Sequence, residues 1–506
     1  MARQSDHIPD VAQLTTDLGR RTARGGVTAI TAQFTRILAQ LAIAAVMARL
    51  LAPGDFGLVA MAMTLTSFVG IFTDLGLSAA TVQRKEIDHT TVSALFWVNV
   101  ATGCLLAAVC TAAAPLAAWL FGDQRVVWVT VALGLSIPVS AAGAQHAALL
   151  QRGMRWMEMQ WTPIIAQSAG GLIAIALAWA THAGYWALVG QAWASTLIST
   201  ALLWTFCRWR PGSRPHWRGA GSALGLGLQL TGFNFVNYFH RQFDNVLIGW
   251  RWGAVDLGYY TRAYTLLTLP LTLVSGPIAS AVVPALSRLQ DDPERWRSAF
   301  LRIFIGVNLL SAALSAVLIA SAEPLVRVVY GAQWIDAGPV FLLLSISMFA
   351  ATAFNAAGWV YISLGQTQRL LRWGIYVTFF FVASFFVGLP YGPKGVALCY
   401  SLAMCLVAVP SLAFVTRRAP VGFFECFWAW LPPTIAGGTA AWGARYLAGL
   451  WVQGNPMLAV VELSSIALGL YSAAVCILIA LRIMPFPYAF NRAALRKLLV
   501  LARWAK

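Results

Sequence analysis

Long apolar runs parted by short polar breaks fill the chain from Gly25 to Leu481, and no other feature constrains the fold as tightly. A helix needs about 20 apolar residues to cross the hydrocarbon layer, and in lipid every backbone N–H and C=O must be bonded within the structure, so such runs read as helices. Fourteen are expected: Gly25–Leu51, Gly57–Ala80, Val92–Leu120, Val126–Leu150, Met159–Thr181, Gly184–Cys207, Gly221–Trp250, Ala263–Ser287, Ser298–Ala322, Asp336–Leu364, Leu370–Leu389, Gly395–Thr416, Phe427–Leu447 and Met457–Leu481. Of 506 residues only 10% are charged and 59% are hydrophobic. A soluble domain carries about a quarter charged residues, so a soluble enzyme is excluded and an all-α polytopic membrane protein is expected.

The basic residues supply the orientation. With the amino terminus inside, 25 of the 35 Lys and Arg fall on inside connections and tails and 6 on outside connections, while Arg36, Arg49, Arg241 and Arg302 lie within the runs. Cytoplasmic loops collect Lys and Arg, and a wrong helix count would scramble this alternation, so both termini are expected in the cytoplasm. The net charge of +17 is therefore membrane topology, not a nucleic-acid footprint. Trp119, Trp128, Trp156, Trp209, Trp250, Trp334, Trp428 and Trp451 stand at run ends, as an interfacial belt requires. Seven cysteines lie in or beside apolar runs with no CxxC pair and no histidine cluster, which implies neither a disulfide framework nor a metal site.

An internal repeat divides the chain. Asp55-Phe56-Gly57 is echoed by Asp256-Leu257-Gly258, 201 residues on. Pro115-Leu116 with Phe121-Gly122 is echoed by Pro324-Leu325 with Tyr330-Gly331 at an offset of 209, and Ala187-Leu188 by Ala397-Leu398 at 210. All three pairs fall on expected outside turns. The expected layout is a cytoplasmic tail (1–24), an N-lobe of runs 1–6 (25–207), a basic linker (208–220), a C-lobe of runs 7–12 (221–416), two extra helices (427–481) and a basic cytoplasmic tail (482–506). Six helices per lobe is an even number, so the lobes are parallel repeats, an architecture whose substrate path runs between the halves.

The repeat also carries polar groups into the membrane. Gln33, Arg36 and Gln40 share one face of run 1; Asn234, Asn237 and Arg241 repeat that spacing in run 7 at an offset of 201. An arginine at the bilayer centre costs at least ~2.5–3.5 kcal/mol, so two of them imply a wet cationic cavity. Arg36 has no acid within a helical turn, whereas Asp244, three residues beyond Arg241, could be that arginine's ordinary partner. His240, Asp74 and Asp244 are the candidates for coupling or gating; for Asp74 the alternative is a helix-end carboxylate reaching interfacial water. No phosphate-binding Gly-rich loop, catalytic triad or paired-carboxylate site is present, and ATP hydrolysis and covalent catalysis are not expected.

Ala48-Arg49-Leu50-Leu51-Ala52-Pro53-Gly54-Asp55-Phe56-Gly57, Asp74-Leu75-Gly76-Leu77 and Gln83-Arg84-Lys85 resemble the opening of polysaccharide-type lipid-linked oligosaccharide flippases. Gln242-Phe243-Asp244-Asn245 and Gly258-Tyr259-Tyr260-Thr261-Arg262-Ala263-Tyr264 agree. The resemblance is to Wzx-like, colanic-acid-exporter-like members of the multidrug/oligosaccharidyl-lipid/polysaccharide exporter superfamily and covers roughly residues 25–420. It implies two six-helix lobes around a cationic lumen. The implied substrate is an undecaprenyl-diphosphate-linked repeat unit, moved from the inner to the outer leaflet of the bacterial inner membrane for exopolysaccharide, capsule or lipopolysaccharide assembly. It also implies no cofactor, coupling to H+, Na+ or the membrane potential, and as partners membrane lipids and the pathway's polymerase and chain-length proteins. The rival readings are an ion-coupled drug/cation antiporter, which would favour a carboxylate-lined lumen, and a membrane polymerase or ligase, which would need a larger outside loop.

Overall fold

The computed structural model of the chain describes the backbone of residues 18–74, 76–83, 87–212, 220–451 and 455–481; within these, the side chains of 18–30, 83, 220–234, 236, 237, 240, 273–277, 280 and 448–451 are not described. The described residues form helices and no strand. In order they are α1 (Leu18–Leu50), α2 (Pro53–Gly70), α3 (Leu77–Gln83), α4 (His89–Phe121), α5 (Arg125–Gly134), α6 (Ile137–Arg152), α7 (Trp156–Thr181) and α8 (Tyr185–Phe206). There follow α9 (Ala220–Ser287), α10 (Pro293–Ala320), α11 (Ala322–Tyr330), α12 (Ala337–Ser345), α13 (Met348–Ser363), α14 (Thr367–Gly388), α15 (Gly392–Thr416), α16 (Phe423–Trp451) and α17 (Pro456–Ala480). Each of the fourteen runs coincides with a helix, a broken pair of helices or, for runs 7 and 8, one half of α9. Among the described residues eight spans, nine with the bent pair α12–α13, are by themselves long and apolar enough to cross a membrane. The chain is an all-α, multi-pass membrane protein.

Several boundaries differ from the sequence reading, each for a local reason. Asp55-Phe56-Gly57 is not a turn but lies in the first turns of α2. Pro53 stands in its first turn, where a missing N–H costs nothing, and Asp55 accepts a hydrogen bond from Ala52 N at 3.1 Å. Asp256-Leu257-Gly258 is likewise helical, because the connection between runs 7 and 8 shrinks to Gly253, whose φ of 82° and ψ of −172° suit a residue without Cβ. Run 2 is broken after Gly70; the chain turns through Gly76 (φ 71°), and Asp74 caps α3 by accepting from Ser78 N at 3.1 Å and Ser78 Oγ at 2.6 Å. The connection after run 9 holds α11, which buries Ala322, Val326 and Tyr330 on one stripe.

The chain divides into two compact units, Met1–Thr261 and Arg262–Lys506. Both contain the same helix break. In the first, Ser136 N bonds Leu133 O, Ser136 Oγ bonds the same carbonyl, and the freed carbonyl of Ala132 accepts from Trp193 Nε1 of α8 at 2.8 Å. In the second, Ser347 N and Oγ bond Leu344 O, and the freed carbonyl of Leu343 accepts from Ser401 Oγ of α15 at 2.6 Å. A broken helix is tolerated in lipid only where a neighbour re-bonds the backbone, and here each unit does so in the same way, 211 residues apart. Gly122 ends α4 with φ 68° and Gly331 ends α11 with φ 100°, which keeps the offset of 209. By that register α10 and α11 together repeat α4.

In the second unit α16 and α17 are built in rather than appended. Asn308 Nδ2 donates to Trp430 O at 2.8 Å, Trp430 Nε1 to Phe349 O at 2.9 Å, and Tyr471 OH to Leu309 O at 2.8 Å. Ion pairs Arg297–Glu425 and Arg445–Glu323 hold the two ends of α16. Opposite the packed face, Trp442, Tyr446, Met457 and Val461 are exposed, as lipid-facing residues are.

Candidate functional site

Helix α1 carries the first polar stripe. Gln33 and Arg36 are half-buried and Gln40 is exposed, while Ala32, Ile37, Ala44 and Met47 are buried on the packed side. Arg36 Nε is buried with no hydrogen-bond partner, and no acid pairs with its guanidinium among the described residues. A buried donor on a permanent cation left unbonded is costly, and a ligand oxygen would remove that cost.

The second stripe lies in the first half of α9. The side chains of Asn234, Asn237 and His240 fall outside the described residues. Arg241 is exposed and forms no ion pair with Asp244. Asp244 points elsewhere: it is 3% exposed and accepts from Tyr260 OH at 2.7 Å and from Asn245 N at 2.8 Å. Tyr260 lies beyond the Gly253 break, so this carboxyl ties the two halves of α9 together. The intrahelical Arg241–Asp244 pair is not made, and no acid among the described residues pairs with Arg241.

Asp74 is half-buried at the start of α3 and reaches Asn99 Nδ2 of α4 at 3.5 Å. Neither Asn99 nor Gln145 of α6 was singled out in the sequence, yet both are fully buried and each has one polar atom without a partner. The signal available was an amide inside an otherwise apolar run.

A close backbone contact joins equivalent segments of the repeat. A Cβ on Gly57 would stand 1.6 Å from Ala254 O, and a Cβ on Gly258 would stand 2.0 Å from Pro53 O. Pro53 and Ala254, like Gly57 and Gly258, are 201 residues apart, so the contact is reciprocal, as across a two-fold axis. Alongside it, Phe68 of α2 and Phe72 just beyond its end meet Phe235, Tyr238 and Phe239 of α9 in an aromatic ladder with centroids 5.3–6.4 Å apart. Tyr238 OH donates to Thr64 O.

The fold is that of a multi-pass, all-α membrane protein in which the same helix break recurs in each unit. Residues 46–339 match the model of the polysaccharide biosynthesis protein family, and the chain belongs to that family. It is 27% identical over 330 residues to the succinoglycan biosynthesis transport protein ExoT of Rhizobium meliloti (65% of this chain, 67% of that one). It is 23% identical over 370 residues to the lipopolysaccharide biosynthesis protein WzxC of Escherichia coli (72% and 74%), and 24% identical over 388 residues to the teichuronic acid biosynthesis protein TuaB of Bacillus subtilis (75% and 79%). In fold it is similar to the lipid II flippase MurJ in an inward closed conformation, with a TM-score of 0.71 at 14% identity over 89% of this chain and 98% of that one. It is also similar to an inward-facing multidrug resistance MATE family transporter of the MOP superfamily, with a TM-score of 0.56 at 16% identity over 78% of this chain and 98% of that one.

Proposed function

We propose that this protein is a flippase that carries undecaprenyl-diphosphate-linked oligosaccharide repeat units from the inner to the outer leaflet of the bacterial inner membrane. The observation that carries this reading is the pair of unneutralised arginines, Arg36 with its unbonded buried Nε and Arg241 free of Asp244. Permanent cations without counter-ions in a membrane span are suited to an anionic head group, and a guanidinium fork matches a phosphate. Family membership and relatives named for the biosynthesis or transport of surface polysaccharides support the same substrate class.

In this reading the N-lobe (25–207) and C-lobe (221–416) rock about the substrate, with the basic linker, the two extra helices and both tails as the sequence places them and both termini cytoplasmic. Arg36 and Arg241 attract the diphosphate, Gln33, Gln40, Asn234 and Asn237 bond sugar hydroxyls, and the polyprenyl chain stays in lipid. The reciprocal Gly57–Gly258 contact closes the outer side and separates when the cavity turns outward. Asp74, Asp244 and His240 serve coupling or gating. An inside-negative potential favours outward movement of an anion by ~2.3 kcal/mol per charge per 100 mV, so no covalent step or ATP is required and the protein acts as a transporter rather than an enzyme. Polymerase and chain-length proteins of the pathway receive the product outside.

The test is the leaflet distribution of lipid-linked oligosaccharide in a knockout complemented with wild type or Arg36→Ala at equal expression. Accumulation on the inner leaflet, relieved by wild type and not by Arg36→Ala, is the expected result. Normal outward display in the knockout, with unpolymerised units outside, would point to a polymerase instead.

A further inference from the structure

The geometry points to a sugar-binding amide pair on α9, Gln242 with Asn245, that grips the neutral pyranose joined directly to the diphosphate. This rests on the flippase reading and adds which part of the substrate is sensed, and by which helix. The motif Gln242-Phe243-Asp244-Asn245 divides by direction. Asp244 is committed to Tyr260 OH and to the backbone N–H of Asn245, and Phe243 tilts against Phe239 with ring centroids 5.9 Å apart. The two amides meet each other: Asn245 Nδ2 donates to Gln242 Oε1 at 2.8 Å, and both side chains are half-buried. That bond uses one N–H of Asn245 and one lone pair of Gln242. Gln242 Nε2 and Asn245 Oδ1 have no partner among the described residues, so a donor and an acceptor stand side by side, held by the bond between them. If both amides turn by half a revolution the roles exchange, and the pair still shows one donor and one acceptor.

Placement gives the pair its ligand. Asn234, Asn237, Arg241 and Asn245 recur at i, i+3, i+7 and i+11, one face of a helix that stays regular up to Gly253. Asn245 stands four residues beyond the exposed Arg241, a rise of about 6 Å, so a diphosphate on that guanidinium sets its first sugar against the pair. With Asp244 turned away and bonded, the pair is uncharged, which fits a neutral ring, acetamido groups included, and not an acid sugar or a free amine. Vicinal hydroxyls satisfy both groups at once, one accepting from the amide N–H and its neighbour donating to the carbonyl. Facing hydrocarbon, the same donor and acceptor would each go unbonded. The register that matches Gln40 with Arg241 places Leu41 and Ala44 at the positions equivalent to Gln242 and Asn245. The stripe on α1 thus has no counterpart of the pair, and this sugar is read from one half of the repeat.

Equilibrium binding to the purified full-length protein in detergent tests this, with a short polyprenyl diphosphate as the bare probe and its glucosyl, galactosyl and N-acetylglucosaminyl derivatives. The quantity read is the ratio of bare to sugar-bearing Kd within one protein sample, which a partly folded variant does not alter. Wild type is expected to bind at least one derivative about tenfold tighter than the bare probe, as hydrogen bonds of ordinary strength from two amides supply. Asn245→Leu and Gln242→Met, each close in volume to the residue replaced, are each expected to bring that ratio below about threefold. A ratio near one in wild type for all three sugars, or a ratio unchanged in both variants, would overturn the amide pair and leave the flippase reading standing. Wild type that binds neither the bare probe nor any derivative would overturn the flippase reading, and the pair with it.

Discussion

The reciprocal glycine contact gives the sharpest prediction. Gly57→Ala places a methyl group 1.6 Å from Ala254 O and Gly258→Ala one 2.0 Å from Pro53 O, whereas carbon and oxygen need roughly 3.2 Å. The start of α2 and the second half of α9 must therefore part by more than an ångström. Overpacking of this kind costs about 1–3 kcal/mol, or a factor of about 5–150 in the population of the closed contact. Gly54 and Val255 report on it, since a Cβ at Gly54 lies 3.5 Å from Val255 Cγ2, within disulfide reach. In a cysteine-free background, Gly54→Cys with Val255→Cys is expected to cross-link readily, and adding Gly57→Ala is expected to slow cross-linking by at least about fivefold. If the contact must open for transport, the oxidised pair should also stop export, and reductant should restore it. Cross-linking undiminished by Gly57→Ala, or export unaffected by the formed disulfide, would refute the reasoning.

Other outcomes follow from the same geometry. Because Arg241 and Asp244 do not touch, stability changes in Arg241→Gln and Asp244→Asn should add to within about 0.5 kcal/mol in a double-mutant cycle; a larger coupling would mean that the pair forms. Tyr260→Phe removes the hydroxyl that donates to buried Asp244 and is expected to destabilise by about 1–3 kcal/mol, read as a lower Tm that Asp244→Leu partly relieves. The Arg297 guanidinium, with a backbone bond from Gly422, holds the Glu425 carboxyl below its usual range. A depressed carboxyl stabilises above its unfolded pKa near 4.3 and loses that contribution as pH falls through the lower folded value, so Tm should drop less between pH 5 and 3 in Glu425→Gln than in wild type. With both partners partly exposed the effect is small.

The helices were legible because lipid leaves a chain few options: each apolar run had to be helical. Arg36 and Arg241 were legible as candidates for the same reason, since an arginine stands out in an apolar run. Breaks inside runs were not. A helix apolar on all sides has no periodicity to interrupt, and Ser136 and Ser347 gave no cue that their N–H groups would bond three residues back and leave a carbonyl for α8 or α15. Gly57 and Gly258 were read as turn residues, because a short motif at an outside connection does not tell that two helix starts lie against one another. Asn99 has no charged neighbour in sequence to mark it; Asp74 reaches it only after the chain turns through Gly76.

The most direct test of the central claim is reconstitution. Purified protein in liposomes would be given polyprenyl-diphosphate oligosaccharide on one leaflet, and its arrival on the other would be followed by accessibility to an impermeant glycosidase. The account expects wild type to equilibrate the lipid, with an inside-negative potential speeding outward transfer, Arg36→Lys to retain part of that rate and Arg36→Ala to lose most of it. Folded wild-type protein that moves none of the lipid, or Arg36→Ala that moves it as fast as wild type, would contradict the assignment of substrate or of site respectively.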